Sequence, residues 1–151
     1  MRSDVAKQPP TLLIVDDEAQ ILAALKRSLR RARYEIVAVE SAAAALRILD
    51  ERCVDVILSD HKMPGMSGVQ LLARAAEIRP GIVRMLITGW TEEISTERLE
   101  EAGICALVAK PWDDARLKTT LRAVMGAARG STSPAGGLDT PDPVSDYSLR
   151  R

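Results

Sequence analysis

Four groups of polar side chains stand directly after apolar runs in this sequence. Asp16 and Asp17 follow Thr11–Val15, Ser59 and Asp60 follow Val54–Leu58, Thr88 and Gly89 follow Ile82–Ile87, and Lys110 and Pro111 follow Ile104–Ala109. Short continuous apolar runs read as buried parallel strands. In an open parallel sheet, ligands bind at the carboxyl ends of the strands, beside the switch in strand order. Three carboxylates there, Asp16, Asp17 and Asp60, repel one another until a cation offsets them. Oxygen donors suit a hard divalent ion, and magnesium keeps several waters in such a site. Lys110 adds a mobile positive charge, and Thr88 adds a hydroxyl donor. Together these groups suit transfer of a phosphoryl group onto a carboxylate. Cations neutralise the equatorial oxygens while one aspartate oxygen attacks phosphorus in line. Gly89 leaves room for those oxygens to approach backbone N–H groups.

Each residue also has a plain structural reading. Asp17 suits a helix cap, Asp60 and Thr88 suit turns, and Lys110 suits a solvated loop. Recurrence at four successive strand ends is what favours the joint chemical reading. Pro111 suits a strand end, and Lys110–Pro111 is a place where a cis bond is affordable. His61 reads as an exposed loop residue. Ser59 should face away from the cation, because side chains alternate along a strand.

The elements that would position these groups alternate strictly. Ile21, Leu22, Leu25 and Leu29 predict a helix near 18–32, with Lys26, Arg27, Arg30, Arg31 and Arg33 towards its C-terminus, where cations complement the dipole. Tyr34–Val39 is a second strand. Ser41 caps a helix whose inner stripe is Ala42, Ala45, Leu46 and Leu49. Ser67 and Gln70 have capping-box spacing ahead of Val69, Leu72, Ala75 and Ala76. Thr91–Ala102 is the weakest helix, with only Ile94 and Leu99 to bury; Gly103 fits its C-cap. Asp113 or Asp114 caps the last helix, which turns Leu117, Leu121 and Val124 inward. Five strands and five helices with right-handed crossovers make an α/β, doubly wound, three-layer α/β/α fold. A single acidic cluster favours the strand order 2-1-3-4-5. In that order Asp16, Asp17 and Asp60 meet at two neighbouring strand ends.

Composition narrows the function classes. The 151 residues carry 21 basic and 21 acidic side chains, a formal net charge of zero, which argues against direct nucleic-acid contact. The aromatic fraction is 3%, so the core must be aliphatic. Cys53 and Cys105 read as reduced, buried thiols of a cytoplasmic protein. The one histidine excludes a multi-histidine metal site. No run reaches the length of a membrane span, and residues 1–10 lack a signal-peptide apolar stretch. No dinucleotide or P-loop glycine motif follows the first strand. Residues 1–10 form a flexible leader, 11–126 the folded domain, and 127–151, rich in Gly, Ser, Thr and Pro, a disordered tail or linker.

The residues Leu12–Glu18, Ser59–Gly68, Ile87–Gly89 and Lys110–Trp112, in this order, strongly resemble the receiver domain of two-component response regulators. The resemblance covers about residues 11–126 and implies the flavodoxin-like fold. It implies that Asp60 is the phospho-acceptor and that Asp16, Asp17, Asp60 and the backbone carbonyl of Lys62 hold Mg2+. Thr88 corresponds to the switch threonine and Lys110 to the phosphate-pairing lysine. The implied donor is a phosphohistidine on a histidine kinase or phosphotransfer protein. The implied consequence is a change in the 91–126 face, which meets a second copy, an output module or a separate partner. Two positions depart from the pattern. Leu107 stands where many members carry Tyr or Phe, which leaves coupling to the loop at Thr88 or to Trp90. Ser67 stands where many carry Asp. A degenerate receiver acting as a binding module is one alternative. A haloacid-dehalogenase-type phosphatase is another, but it wants Asp-x-Asp and a cap segment, against Asp16-Asp17-Glu18 here.

Overall fold

The computed structural model describes residues 8–89 and 94–129. Most of the leader, Trp90 with the switch role expected of it, and most of the tail lie outside the described residues. Strands β1 (Thr11–Val15), β2 (Glu35–Val39), β3 (Val56–Asp60), β4 (Val83–Gly89) and β5 (Ile104–Lys110) form one parallel sheet in the order β2-β1-β3-β4-β5. The helices are α1 (Ala19–Ser28), α2 (Ala42–Glu51), α3 (Gly68–Ile78), α4 (Thr96–Glu101) and α5 (Asp114–Arg129).

Two-residue periodicity splits the core into two layers. Leu13, Val15, Ile57 and Leu86 point to α2, α3 and α4. Leu12, Ile14, Val56, Leu58, Met85 and Ile87 point to α1 and α5. A central strand in this fold therefore has no polar face, and β1 and β3 are buried along their whole length. Among the described residues, all the large fully buried side chains are aliphatic or Met. The inner stripe is as expected for α5 and, with Leu46 only half-buried, for α2; in α3 Leu71 takes the core position expected of Ala76, which is half-buried, beside Val69, Leu72 and Ala75.

Caps set the helix starts. Ser41 Oγ accepts from Ala44 N, Ser67 and Gln70 form a reciprocal capping box, and Asp113 Oδ2 accepts from Arg116 N. Helix α1 is shorter than its pattern. Its turn tightens to i→i−3 bonds, Arg30 N to Arg27 O and Ala32 N to Leu29 O, and it stops at Ser28. Helix α4 begins only at Thr96, capped by Ser95 Oγ, and residues 91–93 of its expected span lie outside the described residues. Gly103 ends α4 at φ +69°, where an added Cβ would collide with the Arg84 guanidinium. Helix α5 continues past residue 126 to Arg129.

Strands β3, β4 and β5 each reach further than the apolar runs suggest, because the polar residues at their ends still pair. Asp60 pairs opposite Ile87, Thr88 opposite Ala109, and Gly89 opposite Lys110. The cysteines differ from expectation: neither is in a disulfide among the described residues, but Cys53 is exposed and Cys105 half-buried. Cys53 follows α2 in the loop before β3, outside both cores.

Helix α4 buries one side chain, Leu99, whereas α1 buries Leu22 and Leu25 with Leu29 just beyond. Amide hydrogen exchange should therefore find α4 the least protected helix. Slower exchange in α4 than in α1 would contradict this ranking.

Candidate functional site

Asp16 leaves β1 on the same backbone path as the strand, its N–H donating to Val39 O at 3.2 Å. Its Oδ1 then accepts from Glu18 N at 2.8 Å, the local turn that short acidic side chains favour. Asp17 takes no cap role: Glu18 occupies the N-cap of α1 without a side-chain bond, and Asp17 stays exposed. Asp60 closes β3 and is 4% exposed. Ligand oxygens of Asp16, Asp17 and Asp60 all lie within 4.8 Å of one another. The convergence expected of two adjacent strand ends is present.

Lys110 sits across these carboxylates. Its Nζ is 2.9 Å from Asp60 Oδ1 and 3.2 Å from Asp16 Oδ2. Burial alone would lower the Lys110 pKa, but the two aspartates outweigh it and hold the ammonium above its usual range. Burial pushes the Asp16 carboxyl above the ordinary aspartate value; the Glu18 N–H opposes this, the Asp60 charge adds to it, and Lys110 offsets part. Thr88 is buried one residue past the position that pairs with Asp60. The Lys110–Pro111 peptide is cis.

The loop after β3 is drawn tightly over the acceptor. His61 N donates to Ile87 O, and Gly68 N donates to His61 O at 2.7 Å. A Cβ on Gly68 would overlap Asp60 O and lie 2.8 Å from both His61 Cα and Leu86 Cδ1, so only glycine closes this loop. Ser59 is fully buried and its Oγ donates to Asp60 O. His61 departs from expectation. It is half-buried with Nδ1 unbonded among the described residues, and burial first, then Arg98, lowers its pKa.

The donor set fits a hard divalent cation. All three side chains offer oxygen, and three carboxylates against one ammonium leave two negative charges uncompensated. Asp16 Oδ2 is buried, and its close polar partner among the described residues is the Lys110 ammonium at 3.2 Å. In the loop, Asp60 O accepts from Ser59, His61 O from Gly68, and Pro64 O from Met66. Lys62 O makes no backbone hydrogen bond of this kind among the described residues.

A raised Asp16 pKa has a definite sign for stability. The folded state binds this proton more tightly than the unfolded chain, so the contribution is present below the unfolded pKa and is lost as pH rises through the folded value. At neutral pH the buried charge is a cost. Asp16→Asn keeps the Oδ1 acceptor for Glu18 N and should stabilise the metal-free protein by about 1–2 kcal/mol, several degrees in Tm. Mg2+ at about ten times its Kd should stabilise the wild type by about 1.4 kcal/mol and the variant by much less. Calorimetry checks both; a destabilised variant that still responds fully to Mg2+ would contradict them.

Comparison with known proteins agrees with this geometry. A family model described as "Response regulator receiver domain" matches residues 12–122. The chain is 41% identical over 113 residues to the hydrogenase transcriptional regulatory protein HoxA of Bradyrhizobium diazoefficiens, covering 74% of this chain and 23% of HoxA. It is 33% identical over 141 residues to the phosphate regulon transcriptional regulatory protein PhoB of Pseudomonas aeruginosa, covering 89% of this chain and 61% of PhoB. The chain thus spans about a quarter of the length of the HoxA relatives it matches. Among solved structures, the signal receiver domain of an HD domain-containing protein from Pseudomonas fluorescens Pf-5 superposes with TM-score 0.76 at 30% identity, covering 83% of this chain and 93% of that one. A CheY-like receiver from Methanospirillum hungatei superposes with TM-score 0.74 at 28% identity, covering 82% and 98%. With its sheet order, its acidic cluster and its lysine, this chain belongs to the response regulator receiver domain family.

Proposed function

We propose that Asp60 takes the phosphoryl group from a phosphohistidine of a histidine kinase or phosphotransfer protein. The observation that carries this reading is the convergence of Asp16, Asp17 and Asp60 with Lys110 paired to the two buried members. One Asp60 oxygen attacks phosphorus in line, the P–N bond to imidazole breaks, and an acyl phosphate forms. Asp16, Asp17, Asp60 and Lys62 O would hold Mg2+, which supplies charge neutralisation at the transferring oxygens. Asp16 and Asp17 position that charge at the mouth of the site. Lys110 pairs with a phosphoryl oxygen, and the Thr88 hydroxyl donates to another. This is a signalling domain that carries one phosphoryl group and loses it slowly, rather than an enzyme of many turnovers.

Phosphorylation adds about −1.5 to −2 charges at a buried position. Drawing Thr88 and Lys110 inward shifts the ends of β4 and β5 and so the face made by α4, β5 and α5, where a second copy or an output module would dock. Leu107, at the position of the usual aromatic switch, is instead packed in the aliphatic layer with α3 and α4. The signal therefore travels through the backbone around Thr88 and through α4, which has little burial to hold it. A degenerate receiver would lack a member of the acidic set or the lysine; this chain has all of them.

Incubation with Mg2+ and a small phosphoryl donor tests the reading by mass spectrometry. Wild type should gain one phosphoryl group, labile to hydroxylamine, and Asp60→Asn should gain none. Lys110→Ala should slow the reaction on the order of 10²-fold, the usual loss on removing one transition-state cation or donor. An unmodified wild type would overturn the assignment.

A further inference from the structure

At the end of the sheet opposite Asp60, a groove of about 490 Å3 runs between the α1–β2 turn and α5. Its walls include Arg31, Arg33, Lys118 and Arg122, with Pro10 and Tyr34, and no carboxylate lines it. The dipole of α1 does not explain these cations. That helix ends at Ser28, its last turn carries Lys26 and Arg27, and the dipole's influence fades beyond the last turn. Arg31 and Arg33 lie past it. Across the groove, Lys118 and Arg122 are spaced i,i+4 on α5, where like charges disfavour each other. Among the described residues none of the four makes an ion pair or a side-chain hydrogen bond. A concave surface with four uncompensated cations in a chain of zero net charge is complementary to an anionic segment.

We propose that this groove binds residues 139–146 of the same chain. Those eight residues carry Asp139, Asp142 and Asp146 and no cation. Helix α5 starts after the carboxyl end of β5 and runs back towards the amino ends of the strands, so Arg129 lies at the groove's end of the molecule. Met125, four residues before Arg129, lines the groove. The step from Arg129 to Asp139 is ten residues, a reach of up to roughly 33–36 Å. The four residues of α5 between the groove and Arg129 cover only about 6 Å. A tether this short gives an effective concentration on the order of millimolar, enough to populate a contact made of exposed ion pairs. Pro141 and Pro143 have φ set by their rings, which lowers the freedom lost on docking.

Backbone amide NMR shifts of the full 151-residue chain test the contact. The tail variant Asp139→Asn/Asp142→Asn/Asp146→Asn leaves the folded domain untouched. It should move the amides of 31–34 and 118–125 to the positions that wild type takes in about 0.5 M NaCl, where screening is short-ranged. Amides at 16–17 and 60–62 should not move. A charge swap, Arg33→Glu/Arg122→Glu combined with lysine at the three tail positions, should restore salt-sensitive shifts at the groove. Groove amides identical in wild type and the tail variant would overturn the proposal. Groove shifts that scale with protein concentration would also overturn it, because a second copy would then be the occupant.

Discussion

Crowding of three carboxylates at the ends of two adjacent strands is the constraint from which the rest of this molecule follows. Asp16 and Asp60 are buried almost completely, and a buried charge is tolerated only when it is paired. Lys110 pairs with both, and it is the last residue of β5, two places from β3 and three from β1 in the sheet. The strand order brings this about. Placing β1 beside β3 joins the aspartates, and placing β5 beyond β4 lets a long, flexible lysine reach across to them. Three carboxylates against one ammonium therefore leave two negative charges at this edge of the sheet, which suits the divalent ion and the phosphoryl transfer proposed for it.

The loop above the acceptor shows how backbone packing serves this electrostatic arrangement. Gly68 begins α3 and lies against the Asp60 carbonyl with no room for a side chain. The capping box of Ser67 and Gln70 fixes where α3 starts, and so fixes where that glycine sits. The family's usual Asp at Ser67 is replaced by an equally good cap, so the geometry survives the change. On the signalling side, the aliphatic Leu107 and the six-residue α4 leave a face held by few buried contacts. Low local stability next to a site whose charge changes is the physical requirement for a switch.

Much of the fold was readable because burial on both sheet faces writes long apolar runs, and the runs are separated by helical stripes. Strand ends were less readable. Asp60, Thr88 and Lys110 are polar yet still belong to their strands, since pairing at the site edge does not depend on hydrophobicity. The end of α1 is hidden for a similar reason: Leu29 continues the helical pattern, but the backbone has already tightened at Arg30. Candidate site residues were visible as chemical types at strand ends, whereas three features were not. The ion pair from Lys110 to Asp16 needs the strand order. The lowered pKa of His61 depends on its burial and on the charge of Arg98, which is distant in sequence. The cationic groove joins residues more than eighty apart in sequence, and no local pattern announces it.

Paramagnetic relaxation measures the central claim most directly. Mn2+ substituted for Mg2+ at substoichiometric concentration broadens amides in proportion to their nearness to the ion. The account predicts broadening centred on 16–17 and 60–62, abolished by Asp16→Asn. Broadening centred elsewhere, or none at millimolar metal, would contradict a shared cation between the ends of β1 and β3.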